Sequence, residues 1–390
     1  MGRWFLNVCI ATALLQAVYH AVRVLVSYRI LNLGGDATSV GIVTALFALT
    51  PLLLAVRIGR AVDRHHTATL MRIGVALTAF GTVVIAFSGN LGVVAAGNIL
   101  LGFGQILVTL TGQSFVSLLS PPGELDRGFA GLTLGVSIGQ AVGIPAVGLI
   151  VSLSSDASGV HTAPALFVMA AVSALAIPFA FALHDPGPAE HDGPRAAPES
   201  VSSMARTPGM KAALLSSLVV LSSMDLVLAY LPVLGSEFGF SVMTVTLLLT
   251  ARTVATIASR AFLPRLLTRV PRERLLVSAT LCSAVPMALI PFVPHPVPIA
   301  ALLVIAGAFW GIGQPLTMTW VVGLVASTDR GAALSLRLTG NRLGQVVVPL
   351  AAAGAAGVAG VASIFVITGG LLCLSAASTW HAVRRPSFRN

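Results

Sequence analysis

From Trp4 onward the chain is a succession of apolar runs, most of them about twenty residues or longer, separated by short polar turns. An α-helix rises 1.5 Å per residue and the hydrocarbon core of a bilayer is about 30 Å thick, so roughly 20 such residues span it. The pattern predicts twelve helical spans, near residues 5–31, 38–58, 68–88, 91–119, 128–153 and 162–183, then 211–234, 240–261, 274–293, 297–326, 331–358 and 361–383. Charged residues make up only 9% of the chain, against about a quarter in soluble domains. The expected fold class is therefore an all-α membrane protein.

The formal net charge of +10 does not point to nucleic acid, because the basic residues sit in short loops on one side. That side carries Arg60, Arg64, Arg127, Arg265, Arg269, Arg272, Arg274, Arg330 and the tail arginines 384, 385 and 389. The opposite turns carry Asp36, Asp156, Glu237 and His295, with Arg29 as the nearby base. Basic loops stay inside, so both termini are expected in the cytoplasm, with the chain in the plasma (inner) membrane. The first run, after Arg3, continues through Gln16, His20 and Arg23 without a small-residue cleavage site, and is read as a retained span rather than a signal peptide. Cys9, Cys282 and Cys373 lie in apolar runs without metal or disulfide spacing and read as small hydrophobic fillers. No phosphate loop, metal-ligand spacing or Ser/His/Asp set is present, so neither an enzyme nor a cofactor is expected; energy must come from gradients.

Residues 184–210, rich in Pro, Gly, Ser and charge and lacking an apolar period, read as a linker. They divide the chain into six-span halves, 1–183 and 211–390, and the halves look like copies. Gly102, Gly104 and Gln105 of "LGFGQ" recur as Gly311, Gly313 and Gln314 of "WGIGQ"; "DRG" at 126–128 recurs at 329–331; Gly139-Gln140 and Pro145 recur as Gly344-Gln345 and Pro349; "GRAVDR" at 59–64 is echoed by "SRAFLPR" at 259–265. The separations are all near 200–209 and the order is kept.

Parallel repeats of six helices are a known transporter plan, and with both ends inside and a cytoplasmic linker the chain resembles the major facilitator superfamily over its whole length. The resemblance implies two pseudo-symmetric six-helix bundles, transport by alternating access and a monomer. Its most specific marker is the Gly-x-x-x-Asp-Arg pattern between the second and third spans. Gly59, Asp63 and Arg64 match it, while His66, Ala68 and Thr69 stand where the family has Gly and a basic pair. The resemblance gives Gly59, Asp63 and Arg64 the role of a cytoplasmic latch. In the fifth span Gly131, Gly135, Gly139 and Gly143 recur every fourth residue, followed by Pro145 and Gly148. This is similar to the family's antiporter motif, with Ile144 inserted; the alternative reading is a small-residue face for helix packing. Asn98 stands where export-type antiporters carry an arginine in the fourth span.

A charge at mid-bilayer costs roughly 2.5–3.5 kcal/mol on insertion scales, so such residues face a cavity or a partner. The candidates are Arg23, Asp225, Arg252, Arg337 and Arg342, with His20. Arg337 lies seven residues past Arg330 and is expected to snorkel to the cytoplasmic surface. In the first span Gln16, His20, Arg23 and Ser27 are spaced 4, 3 and 4, a single polar face. Asn98, Gln105, Thr109 and Gln113 repeat the device in the fourth, and Thr339, Arg342 and Gln345 in the eleventh. A separation of 202 overlays Arg23 on Asp225 and Tyr28 on Tyr230. Asp225 is expected to be held by Arg252, by Arg23 or by both, either as a structural pair or as part of a transport site. Three arginines and one aspartate on a cavity wall would favour an anion, gripped by guanidinium, and a titrating aspartate would couple protons to it.

The expected function is a proton-linked secondary transporter of a small organic anion or amphiphile, leaning to export. The alternatives are a multidrug efflux antiporter with a broad apolar pocket, and a transport-inactive membrane sensor or assembly subunit. The expected substrate and coupling set is Arg23, Asp225, Arg252, Arg342, His20, Gln16, Gln105, Tyr28 and Tyr230, with Gly135, Gly139, Gly143 and Pro145 for packing. Protons and lipid are the other expected partners.

Overall fold

The computed structural model describes residues 2–63, 66–121, 124–155, 160–185, 201–325 and 330–384, without the side chains of 55–63, 125–126, 201–203 and 330–332. Among the described residues there is no strand. The first six spans are α1 (Arg3–Asn32), α2 (Ala37–Asp63), α3 (Thr67–Ala86), α4 (Leu91–Leu119), α5 (Leu125–Ser154) and α6, which bends between Ala163–Leu175 and Ile177–Phe181. After a short helix at Val201–Arg206 come α7 (Met210–Glu237), α8 (Val242–Leu267), α9 (Arg272–Leu289) and α10 (Pro296–Gly323). The final helical run, Arg330–Val383, is broken by Gly360, whose φ of 74° and ψ of 175° are non-helical. It supplies two spans, α11 (330–359) and α12 (361–383). The fold is thus twelve transmembrane helices in two six-helix bundles, with boundaries within a few residues of those read from the apolar runs. By compactness the chain forms one unit of Met1–Asp192 with Gly239–Leu247, and a second of Gly193–Phe238 with Leu248–Asn390.

In the first unit the glycine face of α5 lies directly on α1. A Cβ on Gly131 would meet the Phe5 ring at 2.7 Å, and one on Gly135 the carbonyl oxygen of Cys9 at 3.2 Å. On Gly139 and Gly143 it would strike the carbonyls of Ala13 and Ala17. Each partner sits four residues beyond the last, so the two helices mesh along one ridge, backbone on backbone from Gly135 to Gly143. Helix ends are closed by polar groups. Asp185 accepts from the Ala68 amide at the start of α3 (2.6 Å), while Arg72 of α3 donates to the Leu183 carbonyl just past α6 (2.7 Å) and lies over the Phe181 ring. Arg29 donates to the Ser88 hydroxyl (3.1 Å) and to the Ala86 and Ser88 carbonyls at the end of α3. A cation at a C-terminal end satisfies orphan carbonyls and opposes the helix dipole.

The second unit centres on an apolar cluster that includes Met210, Leu276, Ile312, Trp320 and Val321. Here the glycine contacts differ in kind. A Cβ on Gly344 of α11 would press on the Leu218 side chain and come within 2.9 Å of the Ser222 hydroxyl of α7, while one on Gly340 would meet nothing within 4 Å.

Candidate functional site

The site is built on α7, which is apolar almost throughout yet carries Asp225, only 8% exposed. Gln345 of α11 reaches across and donates its Nε2 to Asp225 Oδ2 at 2.6 Å. The other end of the same amide, Oε1, accepts from Arg342 Nη1 at 3.0 Å. A carboxylate, a carboxamide and a guanidinium are therefore linked in series, with the amide passing the charge relation between the two ions. Arg252 of α8 is 4% exposed and donates to Thr253 Oγ1 at 3.3 Å. Its backbone carbonyl accepts from Thr256 Oγ1 (3.0 Å) and abuts Gly307 of α10. Tyr230 is fully buried on α7.

Arg337 departs from expectation. It does not reach for the surface: it is 7% exposed, and its Nη2 donates to Gln314 Oε1 (2.8 Å), the Gln314 carbonyl (3.2 Å) and Thr317 Oγ1 (3.3 Å), all on α10. Gln314 in turn donates to the Ser217 carbonyl of α7 at 3.4 Å. The physical reason is spacing: Arg337, Asn341 and Gln345 are four residues apart, so they share the face of α11 that meets α7 and α10. The expected Thr339–Arg342–Gln345 stripe is not that face, since Thr339 is exposed and bonds back to the Ser335 carbonyl.

In the first unit Gln16 is buried and its carbonyl accepts from His20 Nδ1 at 3.0 Å, which fixes the proton on that nitrogen. Arg23 lies over the Phe47 ring of α2, 4.9 Å from its centroid. Tyr28 is 4% exposed. Asn98 donates to the Val43 carbonyl (2.7 Å), and Gln105 Oε1 is buried without a hydrogen-bond partner. Gly59 and Asp63 lie on the α2 backbone, but their side chains, and Arg64 altogether, fall outside the described residues.

The glycine contacts also revise the overlay of the halves. Gly139 touches Ala13 and Ala17, and Gly344 touches Leu218 and Ser222; all three pairings are separated by 205. That register sets His20, not Arg23, opposite Asp225. The same helix pair meets at both glycines with one separation, whereas a separation of 202 matches polar residue types alone.

The sequence matches the family model "Major Facilitator Superfamily" over residues 8–234 and again over 213–389. Curated relatives include the multidrug resistance protein MdtG of Citrobacter koseri, 26% identical over 132 residues, and that of Escherichia coli (strain K12 / DH10B), 25% identical over the same length. Each match covers 34% of this chain and 32% of the relative, so the chain aligns with about a third of the length of these proteins. Among solved structures, a mutant of the nucleoside transporter NupG superposes with a TM-score of 0.80 at 15% identity, covering 98% of this chain and 100% of that one. A D-xylose–proton symporter gives 0.79 at 15%, covering 96% and 97%. A bacterial homologue of the human lysosomal transporter Spinster gives 0.77 at 16%, covering 98% and 96%. At such identities the superpositions speak to the fold, and together with a family model matched along nearly the whole sequence they lead to one conclusion: the chain belongs to the Major Facilitator Superfamily.

Proposed function

We propose that this protein is a secondary active transporter that moves a small organic anion or amphiphile by alternating access, coupled to protons and directed outward. The observation that carries the reading is the series Asp225–Gln345–Arg342. Arginine stays protonated at any physiological pH while aspartate exchanges its proton. The charge on Asp225, passed through the Gln345 amide, links proton and anion at Arg342: where protonation frees the guanidinium to grip a carboxylate or phosphate the two move together, and where protonation releases the anion they exchange, as outward movement on an inward proton gradient requires. In this reading Arg252, His20, Gln16, Arg23, Gln105, Tyr28 and Tyr230 serve the transport pathway. Gly59, Asp63 and Arg64 form the latch. The halves 1–183 and 211–390, joined by 184–210, work as a monomer with both termini cytoplasmic in the plasma (inner) membrane.

Reconstituted into liposomes under an imposed pH gradient, Asp225→Asn is expected to abolish pH-driven accumulation while leaving substrate exchange in place. Unchanged accumulation removes the aspartate from coupling. A second reading, a multidrug exporter, is favoured by the likeness to MdtG. A thermal-shift panel separates them: carboxylates or phosphonates stabilise the protein in the first reading, hydrophobic cations in the second.

A further inference from the structure

We infer that the seam between α7 and α11 at Gly340 holds a second anion position, built on Arg337, that takes the carboxylate or phosphonate head of a small organic molecule. Arg337 is more than nine-tenths buried, and its bonds run to Gln314 and Thr317, both neutral. Its Nε is buried with no hydrogen-bond partner. A guanidinium presents five N–H donors in a planar fork that matches two oxygens of an oxyanion, and Nε is one of the donors left over here. Neighbouring groups are in the same condition. The Ser217 hydroxyl of α7, whose backbone carbonyl is already tied to Gln314, is buried without a partner, and Asn341, one turn along α11, has a buried Oδ1 without one, in a carboxamide that can turn its NH2 donors to the same place. Buried polar atoms in a folded protein nearly always have partners, so a cluster of orphans beside an uncompensated cation marks a place for a charged guest.

Beside the arginine the seam is open at Gly340. In the first unit Gly135 rests on the Cys9 carbonyl, whereas its counterpart Gly340, 205 residues on, faces open space. The first unit also has Leu132 at the position corresponding to Arg337, and there Gln105 keeps a buried oxygen with nothing to accept from. Cation and space thus occur together in one repeat and are both missing from the other. The position lies two turns along α11 from Gln345, about 12 Å, so it is separate from the Asp225 series. It depends on the proposed transport reading only in treating the guest as substrate.

The test is equilibrium binding, without a gradient, of benzoate and phenylphosphonate to the purified full-length chain. Wild type binds at least one probe. R337Q lowers that affinity about a hundredfold, R337K about tenfold, and G340L, which fills the seam while keeping the arginine, also abolishes binding. Independently of any variant, the probe protects Arg337 from phenylglyoxal, read by peptide mass mapping. Nanodiscs with and without phosphatidylglycerol identify the natural guest: competition by that lipid assigns the position to a headgroup phosphate, and its absence to a soluble anion. Failure of both probes to bind wild type, R337Q or G340L binding within twofold of wild type, or unprotected Arg337 overturns the inference. Loss of pH-driven transport in D225N is a separate result, so either reading can fail alone.

Discussion

Gly139 lies against Ala13 and Ala17 of α1, and Gly344 lies against Leu218 and Ser222 of α7, at one common separation of 205 residues. The same holds for α2 with α4 and for α8 with α10. Gly102 abuts Phe47 and Gly311 abuts Thr256, both pairs 209 apart, and Asn98 donates to the Val43 carbonyl where Gly307 abuts that of Arg252. Two bundles of common plan thus keep the positions where backbones touch and diverge in what fills the space between. The first unit presses helix on helix and buries few ions; the second leaves its central seam looser and threads Asp225, Arg252, Arg337, Arg342 and two glutamines through it. Close backbone contact fixes architecture because any Cβ there must displace a peptide, while the remaining interior positions are free to acquire charge.

The largest expected contrast comes from adding one methyl group at equivalent places. In Gly139→Ala the new Cβ meets a carbonyl of the neighbouring backbone, and in Gly344→Ala the flexible end of Leu218. Overpacking of the first kind should cost about 2–3 kcal/mol and the second about 1 kcal/mol or less, because the leucine can turn aside. Equal losses in thermal unfolding of the two purified variants would dissolve the distinction between a rigid and a yielding seam.

A smaller contrast is expected between the paired glutamines. Gln345→Leu strips Asp225 of a 2.6 Å bond and should cost about 1.5–3 kcal/mol, the usual worth of a hydrogen bond to a charged group. Gln140→Leu, half-buried at the matching place in α5, should stay within about 0.5 kcal/mol of wild type. The stability difference should shrink when Asp225→Asn is introduced beside each, and a difference that persists would mean the glutamine acts elsewhere.

The least effect concerns two caps, also 205 residues apart. Asp36 accepts from the Ser39 amide and hydroxyl at the start of α2, both at 2.8 Å, while Ser241 accepts from the Thr244 amide at 3.1 Å at the start of α8. The Ser39 backbone bond, then its hydroxyl, hold the Asp36 carboxyl below its usual range. A carboxyl depressed in the folded state stabilises above its unfolded pKa, and that contribution is lost as pH falls through the folded value. Amide exchange in the first turn of α2 should therefore quicken as pH drops below about 4, after correction for intrinsic rates, while the first turn of α8 should not respond. Asp36→Asn should flatten the response; Asp36→Ala should cost about 1 kcal/mol or less.

The sequence made the spans legible because hydrocarbon imposes a length and an apolar content that few other environments demand. It made the α5 ridge legible because glycines at every fourth place lie along one side of a helix. Much of the polar interior escaped it. Gln345 is one group that grips Asp225 and escapes a sequence reading, because a search for the partner of a buried carboxylate looks first for a cation, and a carboxamide carries no formal charge to betray it. The face made by Arg337, Asn341 and Gln345 was available from spacing, yet a rival set three residues apart looked equally helical. Only the neighbouring α10 decides which face turns inward. His20 was seen, but its correspondence to Asp225 was hidden until the backbone contacts set the register.

Gly360 has a consequence of a different sort. Where α5 hands over to α6 through residues 155–162, α11 hands over to α12 through this lone glycine. A joint of one residue has no slack: it lets the two rods swivel but not drift apart. If α11 tilts, α12 is carried with it like the second blade of a pair of shears.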